Sequence, residues 1–370
     1  MVAFFPRHIG RYELIEHLAS GGMGQVYLAR ATGLGGFERR VVIKVLQPTA
    51  DDDPQMVAMF LDEARLVGAL HHHCIAPVFE VGCDDEGRFF FVMDYLPGEN
   101  AAVVFRACEE RTRPVPLPLA LGIGSSVASA LAYAHAAQGP DGRSRQLVHR
   151  DVSPSNIIVG YDGSVRLIDF GIAKTAHRAV VTQAGAMKGK LGYLAPEQVL
   201  HASVDRRTDI FALGVVLYEL TTGTRAFHDA SDLITFERIL RGELDAPSTV
   251  LPGFPAELER IILQAVALSP ADRYPDAASL AADLDAFARA YLVPVGPSVN
   301  AAVMGELFRG PPRIRLGSDS GLTGFTIDTD ADAASTDLGI PVHIHSEVTP
   351  VNEIVADFEQ GSRTDRITFH

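Results

Sequence analysis

The chain has no tryptophan, only three cysteines and no lysine after Pro294. Cys74, Cys83 and Cys108 have neither metal-ligand spacing nor the pattern of an obvious disulfide set, which favours a reducing cytoplasm. Cys74 follows three histidines, but the side chains of consecutive residues point in different directions. We therefore do not expect one metal ion to use all four.

Other absences exclude whole classes of protein. The formal net charge of −14 argues against a nucleic-acid partner held through phosphate contacts. Residues 1–10 have two basic side chains and no long apolar core, so no signal peptide is expected. Val115–Pro140 lacks Asp, Glu, Lys and Arg and is long enough to span a bilayer, but its prolines, glycines and serines favour a buried helix. We therefore expect no membrane segment and a cytoplasmic location.

The order of hydrophobic patterns predicts regions of different structure along the 370 residues. Up to about residue 95 the pattern predicts strands with one helix over Pro54–Leu70, and helices dominate from about Pro118 onward. Segment 294–370 has 11 acidic residues, is rich in Gly, Pro, Ser, Thr and Asp, and lacks sustained periodicity. It is predicted to be an acidic, largely disordered tail, so that truncation after Val293 should leave the rest intact.

Two segments of the first region suit contact with phosphate groups. Leu18–Tyr27 carries glycines between two strands, which let backbone amides approach phosphate oxygens, although such a hairpin alone is usually only a turn. Lys44 lies in the apolar strand Arg40–Leu46, where burial is costly unless an anion accepts its charge. Glu63, on the following helix, suits that role. Taken singly, a solvent-facing Lys44 and an exposed helix acid are the simpler interpretations.

Two segments of the second region place polar side chains in loops beside apolar strands. In His149–Asn156, Asp151 and Asn156 stand five residues apart, which suits a hydroxyl and a metal ion. In Leu167–Gly171, Asp169 lies at the end of a strand, where it is well placed for a cation. Each segment taken alone is equally well explained as an ordinary loop.

Together and in this order, with Ala195-Pro196-Glu197, Asp209 and Asp272-Arg273-Tyr274, these segments resemble the bacterial eukaryotic-like (Hanks-type) serine/threonine protein kinases over residues 12–291. The resemblance implies an α+β, two-lobed protein-kinase fold, with a small β-rich N-lobe at 12–95 and a larger helical C-lobe at 96–291. It further implies transfer of the γ-phosphate of ATP, with Mg²⁺, to serine or threonine of protein substrates in bacterial signal transduction. A transient homodimer would serve autophosphorylation.

The resemblance also implies roles for individual residues. Asp151 accepts the proton of the substrate hydroxyl, and Asn156 and Asp169 hold Mg²⁺. Lys44 contacts the α- and β-phosphates and pairs with Glu63. Glu197 pairs with Arg273, and Asp209 braces the catalytic loop. The remaining residues expected to contact ATP are Leu18, Ala19, Ser20, Gly21, Gly22, Met23, Gly24, Val26, Val42, the gatekeeper Met93, and the hinge residues Asp94, Tyr95 and Leu96.

Four positions depart from the pattern of the family. Ala19 replaces the first loop glycine, and Val42 replaces the usual alanine, which narrows the adenine pocket. Ser153 stands where the family has a lysine that touches the γ-phosphate, and Lys190 stands where the family has a threonine. Because these last two positions are neighbours around the catalytic aspartate in the family fold, we expect Lys190 to supply the missing positive charge and Ser153 to leave space for it.

The segment after Asp169 is expected to contain a phosphorylation switch. Arg150 precedes the catalytic aspartate, and family members with arginine there commonly use it to hold a phosphorylated activation loop. Thr182, seven residues before Gly189, is the first candidate and Thr175 the second. An ordinary loop threonine is the simpler alternative.

The alternative function is a pseudokinase, which binds nucleotide or a partner without turnover. Ala19 and Ser153 favour this alternative. It is opposed by the presence of the other residues to which the resemblance gives a role in phosphate binding, magnesium binding or proton transfer, namely Lys44, Glu63, Asp151, Asn156 and Asp169. A small-molecule or lipid kinase is weaker still, because those families rarely keep the full segment from Asp-Phe-Gly to Ala-Pro-Glu.

Overall fold

The polypeptide divides into two structural units, seen in a computed structural model that describes residues 8–20, 24–46, 54–138, 142–143, 145, 147–170, 190–229 and 231–308. The first unit comprises the described residues before Leu70 together with Pro77–Tyr95. The second comprises Leu70–Ala76 and the described residues from Leu96 onward. The predicted phosphorylation sites Thr175 and Thr182, the loop residues Gly21, Gly22 and Met23, and the predicted tail beyond residue 308 lie outside the described residues.

The described part of the first unit is a six-stranded antiparallel sheet with one α-helix and a short 3-10 helix at Leu34–Gly36. Its elements are β1 (His8–Ile9), β2 (Tyr12–Ser20), β3 (Gly24–Thr32), β4 (Glu38–Leu46), α1 (Pro54–Gly68), β5 (Val78–Cys83) and β6 (Phe89–Asp94), in the sheet order β1-β2-β3-β4-β6-β5. Alternation along β4 buries Val41, Ile43 and Val45 in a core with Tyr12 and Phe90 on one face. The opposite face therefore carries Val42 and Lys44.

The second unit is mainly helical. Its helices are α2 (Ala101–Glu109), α3 (Leu117–His135), α4 (Pro196–Val199), α5 (Arg206–Thr222), α6 (Asp232–Arg241), α7 (Pro247–Val250), α8 (Ala256–Ala265), α9 (Ala277–Ala290) and α10 (Pro297–Leu307). A small antiparallel sheet of β7 (Gly98–Asn100), β8 (Ile157–Gly160) and β9 (Val165–Leu167) accompanies them. β8 and β9 pair as a hairpin, with its turn at residues 161–164.

The uncharged stretch Val115–Pro140, which is long enough to span a bilayer, contains the helix α3. It is the one helix among the described residues that is long and apolar enough to cross a membrane, and 61% of its apolar window is buried within the protein. Gly124 allows Leu217 of α5 and Leu284 of α9 to approach closely, since a Cβ at that position would lie 2.6 Å and 3.3 Å from their side chains. These contacts are those of a core helix, as the sequence predicted.

The segment predicted as a tail begins with an ordered helix, so the predicted boundary at residue 294 is wrong for this first part. Pro297 stands at the first position of α10, and Asn300, Met304 and Leu307 are buried along one side. The spacing of these three residues is helical, but a single short stripe that includes an asparagine gives a weak hydrophobic pattern. Arg111 donates from Nη2 to the carbonyl of Leu307 at 2.8 Å, which fixes the end of the helix.

Truncation after Val293 should therefore be harmful, contrary to the expectation from composition. Removing α10 exposes the apolar surface that Met304 and Leu307 cover, at 0% and 5% exposure. Each buried side chain contributes about 2 kcal/mol, so the shortened chain should melt at a clearly lower temperature. A chain that ends after Phe308 retains α10 and is the matched control. Equal melting temperatures for the two truncated chains would contradict this account.

Candidate active site

Lys44 of the first unit forms a buried ion pair with Glu63. Its Nζ lies 2.7 Å from Glu63 Oε1, and the two side chains are 12% and 4% exposed. Lys44 also lies over the ring of Phe91, at 5.3 Å from the centroid. A buried pair of this kind persists only with good geometry and further polar partners. The simpler interpretations, a solvent-facing lysine and an exposed helix acid, are therefore wrong.

The strand register places five of the predicted nucleotide-contacting side chains on one face of the sheet, namely Ala19, Val26, Val42, Lys44 and Met93. Ser20 and Asp94 pair with Gln25 and Val41 and lie on the opposite face. Val26 pairs with Ala19 on one side and with Lys44 on the other, and Val42 pairs with Met93. Directly paired residues point to the same face. Gly24 is required by packing, because a Cβ there would lie 2.3 Å from the carbonyl oxygen of Val45.

The predicted catalytic loop of the second unit is braced by Asp209, which is fully buried on α5. Its Oδ2 accepts the backbone N–H of His149 at 2.8 Å, and its Oδ1 accepts the backbone N–H of Arg150 at 2.7 Å. His135 Nε2 lies 2.8 Å from the same carboxylate. Arg150 has a φ of 64°, a conformation that costs energy for a non-glycine residue. The carboxylate thus holds the loop in a strained backbone arrangement.

Asp151, Asn156 and Lys190 come together in the second unit. Asn156 Nδ2 donates to Asp151 Oδ2 at 2.7 Å and to its backbone oxygen at 2.8 Å. Lys190 Nζ lies 3.2 Å from Asp151 Oδ2 and 3.5 Å from Asn156 Oδ1. Ser153 is buried, and its Oγ lies 3.0 Å from Ser155 Oγ. The lysine expected beside the aspartate is therefore in contact with it.

Asp169 follows the hairpin that begins after Asn156. The backbone N–H of Ile168 donates to the carbonyl of Asn156 at 2.9 Å, which joins the two ends of the hairpin. His149 Nε2 lies 3.1 Å from the carbonyl oxygen of Ile168, and its ring packs against Phe170. Asp169 has a φ of 54°. Both predicted magnesium ligands are thus attached to one small, hydrogen-bonded frame.

Glu197 and Arg273 form the expected buried pair. Arg273 Nη1 and Nη2 donate to the two carboxylate oxygens at 2.7 Å and 2.9 Å, and Thr208 Oγ1 donates to Oε1 at 2.7 Å. Burial alone would raise the pKa of Glu197, but the hydrogen bonds from Arg273 and Thr208 outweigh it and lower this pKa below its usual value. The pair anchors the Ala-Pro-Glu segment in the second unit.

Arg273→Ala should destabilise the protein by about 3 kcal/mol at neutral pH, because it leaves a buried carboxylate without its partner. A carboxyl group with a lowered folded-state pKa stabilises the protein above its unfolded pKa and loses this effect as pH falls through the folded value. The difference from wild type should therefore shrink below the usual glutamate pKa of 4.5. Thermal unfolding across pH measures it, with the exposed Arg289→Ala as control. A constant difference across that range would contradict the assignment.

A second buried network in the second unit was missed by the sequence reasoning. Tyr193 donates from its hydroxyl to Glu219 Oε2 at 2.7 Å, and Arg225 Nη1 contacts both at 2.7 Å and 2.9 Å. Burial raises the pKa of Glu219, and burial followed by the charge of Glu219 raises the pKa of Tyr193. A glutamate within the apolar stretch of α5 was the one signal of this network in the sequence.

His72, His73 and Cys74 place their possible metal-ligand atoms closer together than we expected for consecutive residues. Ligand atoms of His72, His73 and Cys74 lie within 4.8 Å of one another. However, His72 Nδ1 accepts the backbone N–H of Cys74 at 3.2 Å, and Nε2 lies 3.4 Å from Ser129 Oγ. Both ring nitrogens of His72 are therefore engaged within the protein, and we assign no metal site there.

Comparisons with known proteins identify the family of this chain. The family model described as protein kinase domain matches residues 12–282. MasK, a tyrosine-protein kinase of Myxococcus xanthus, is 42% identical over 283 residues, which are 76% of this chain and 44% of MasK. PknL, a serine/threonine-protein kinase of Mycobacterium tuberculosis, is 34% identical over 77% of this chain and 67% of PknL. PrkC, a serine/threonine-protein kinase of Bacillus subtilis, is 32% identical over 74% of this chain and 40% of PrkC.

A solved structure confirms the predicted fold class. The kinase domain of PknI from M. tuberculosis superimposes with a TM-score of 0.56 at 28% identity, covering 77% of this chain and 99% of that domain. The chain spans less than half the length of MasK and PrkC. The family match covers well over half of the chain and agrees with the ordered motifs. The chain therefore belongs to the protein kinase domain family, whose members use ATP and Mg²⁺, as the sequence predicted.

Proposed function

We propose that this chain is an active protein serine/threonine kinase that transfers the γ-phosphate of ATP to protein hydroxyl groups. The observation that carries the proposal is the set of hydrogen bonds around Asp151, from Asn156 and Lys190. A carboxylate held in this way is positioned to accept the proton of an attacking hydroxyl. The buried pair of Lys44 and Glu63 supports the proposal, because it presents a cation on the predicted nucleotide face.

The side chains of the second unit fit Mg²⁺. Asn156 and Asp169 offer an amide oxygen and a carboxylate, which are the hard oxygen ligands that Mg²⁺ prefers. Because Asn156 Nδ2 is fixed by two hydrogen bonds to Asp151, the orientation of its Oδ1 is fixed as well. When bound, Mg²⁺ neutralises charge on the phosphate oxygens. The chain itself orients the hydroxyl and receives its proton at Asp151.

Lys190 supplies the positive charge that Ser153 does not. The chain has only four lysines among its 32 basic residues, and the structure describes two of them. Lys44 pairs with Glu63 in the first unit, and Lys190 pairs with Asp151 in the second. Arginine serves at the other described basic positions. The Lys190 side chain is 23% exposed, so its ammonium is not enclosed by the protein. A compact charge on a flexible stem can follow the phosphoryl group during transfer.

The acceptor residue is tested by incubating the purified chain with ATP and Mg²⁺ and mapping the phosphorylated residues by mass spectrometry. We expect phosphoserine and phosphothreonine, as the names of PknL and PrkC suggest. Phosphotyrosine alone would instead favour the activity for which MasK is named. Nucleotide binding without any phosphorylated product would favour the pseudokinase.

A phosphorylation switch at Thr182 is part of the proposal. A phosphate there adds about −1.5 to −2 charge, which can pair with Arg150 and order the segment. Thr182→Ala should therefore lower activity toward added protein, and Thr175→Ala should have the smaller effect. Rates of substrate phosphorylation by the two variants and wild type make the comparison. A Thr182→Ala protein that autophosphorylates and acts on substrates like wild type would refute the switch.

The proposal also includes the cellular location of the enzyme and its association with a second copy of itself. We place it in the cytoplasm, which the burial of α3 and the small number of cysteines support. Autophosphorylation would use a transient homodimer, since one copy must present its threonine to the site of another. Mixing an Asp151→Asn chain with wild type tests this, because the inactive chain should gain phosphate only when wild type is present.

A further inference from the structure

The two predicted magnesium ligands stand at the two ends of one hairpin. β8 begins directly after Asn156, and β9 ends two residues before Asp169. The hydrogen bond from the backbone N–H of Ile168 to the carbonyl of Asn156, at 2.9 Å, joins the two ends. A displacement of the hairpin must therefore move both ligands.

The turn of this hairpin lies directly against α10. Asn300 Nδ2 donates to the carbonyl oxygen of Gly163 at 3.0 Å, and both atoms are buried. A Cβ on Gly163 would lie 1.7 Å from the carbonyl oxygen of Pro297, so no other residue allows this approach without displacing the helix. Gly163 also has a φ of 82°, which suits glycine.

The position of α10 is fixed from two other directions. Gly122 of α3 leaves room for Asn300, since a Cβ on Gly122 would lie 2.6 Å from Asn300 Oδ1. At the other end of the helix, Arg111 donates to the carbonyl of Leu307 at 2.8 Å. Met304 is fully buried between these ends. The helix is therefore fixed to the body of the second unit, and the hairpin turn is fixed to the helix.

We propose that α10 belongs to the catalytic unit and that Asn300 is a positioning residue for the predicted magnesium ligands. The inference rests on the proposed function of Asn156 and Asp169. The family match ends at residue 282, so α10 lies outside the part of the chain that the family describes. The strands of the sheet β7-β8-β9 have only three or four residues each, so the sheet depends on packing against helices. Packing against α10 supplies that support at the turn, and the ladder transmits it to both ends.

Substitutions in the full-length chain test the positioning role. Asn300→Ala removes the bond to the turn, and Gly122→Ala forces Asn300 away from α3. Each should raise the free Mg²⁺ concentration at half-maximal rate by about fivefold. Ser298→Ala, exposed on the same helix, is the matched control and should behave as wild type. If Asn300 acted on stability alone, both variants would contain less active protein but would need the same Mg²⁺ concentration for half-maximal rate as wild type. An unchanged Mg²⁺ dependence in both variants would therefore overturn the inference.

Hydrogen exchange of the unmodified chain provides a test that no folding defect can obscure. Because coupling between sites is reciprocal, binding of Mg²⁺ with a non-hydrolysable ATP analogue should slow amide exchange in the hairpin and in α10 together. Slower exchange in the catalytic loop and hairpin with no change in α10 would overturn the inference and leave the proposed function intact. No change in either region would overturn both.

Discussion

Asp151→Asn should reduce phosphotransfer by about three orders of magnitude while leaving the fold intact. Asparagine has the same shape and still accepts the hydrogen bond that Asn156 Nδ2 donates at 2.7 Å. However, it cannot accept the proton of the substrate hydroxyl, and it loses the ion pair with Lys190. The initial rate with ATP, Mg²⁺ and a basic protein substrate measures the effect, and thermal unfolding monitors the fold.

The matched control is Asp62→Asn, which makes the same chemical change at an exposed position of α1. It should retain the wild-type rate. Lys44→Met and Asp169→Asn should resemble Asp151→Asn, since they remove a predicted phosphate contact and a predicted magnesium ligand. Turnover at the wild-type rate in Asp151→Asn would show that the Asp151 carboxylate is not required for catalysis.

Lys190→Ala should lower the rate by about 10²–10³-fold with little change in the affinity for ATP. Removing one group that stabilises charge in the transition state typically costs this much. The charge is needed during transfer, whereas the ground-state nucleotide is bound by other groups. The position of Lys190 Nζ, 3.2 Å from Asp151 Oδ2, supports such a role. Separate measurements of kcat and of KM for ATP distinguish the two effects.

The double variant Ser153→Lys with Lys190→Thr is the sharper test. It restores the arrangement common in the family, with the lysine in the catalytic loop, and should recover much of the lost rate. Lys190→Arg keeps the charge but not its compact form, and should fall between wild type and alanine. A Lys190→Ala enzyme as fast as wild type would rule out the relocated charge.

The side chains that carry the predicted chemistry could be located from the sequence because each lies within a short local pattern. Lys44 stands in an apolar strand, and Asp151 and Asn156 stand in one loop. A short stretch of sequence is therefore enough to locate each of these side chains. The hairpin around residue 162 was predictable for the same reason. Local pattern also gives the face of β4, because alternation along a strand determines which side chains share a side.

Features that depend on distant contacts could not be predicted in this way. α10 buries a short stripe that includes Asn300, whose partner Gly163 lies 137 positions earlier in the chain. Tyr193 and Arg225 contact Glu219 of α5 from outside that helix, and no local sequence pattern indicates these contacts either. Strand β5 carries a register irregularity between Val78 and Glu80 that disturbs its alternation.

Because α10 has so weak a hydrophobic pattern, the composition of the sequence placed the end of the folded region before this helix.

Phosphotransfer by this chain can be measured directly with ATP labelled at the γ-phosphate. Purified wild-type chain with Mg²⁺ should incorporate label into its own serine or threonine residues and into an added basic protein. Asp151→Asn chain purified in parallel should incorporate about a thousandth as much. Wild-type chain that binds ATP and transfers no label to either protein would contradict the proposed function and identify the chain as a pseudokinase.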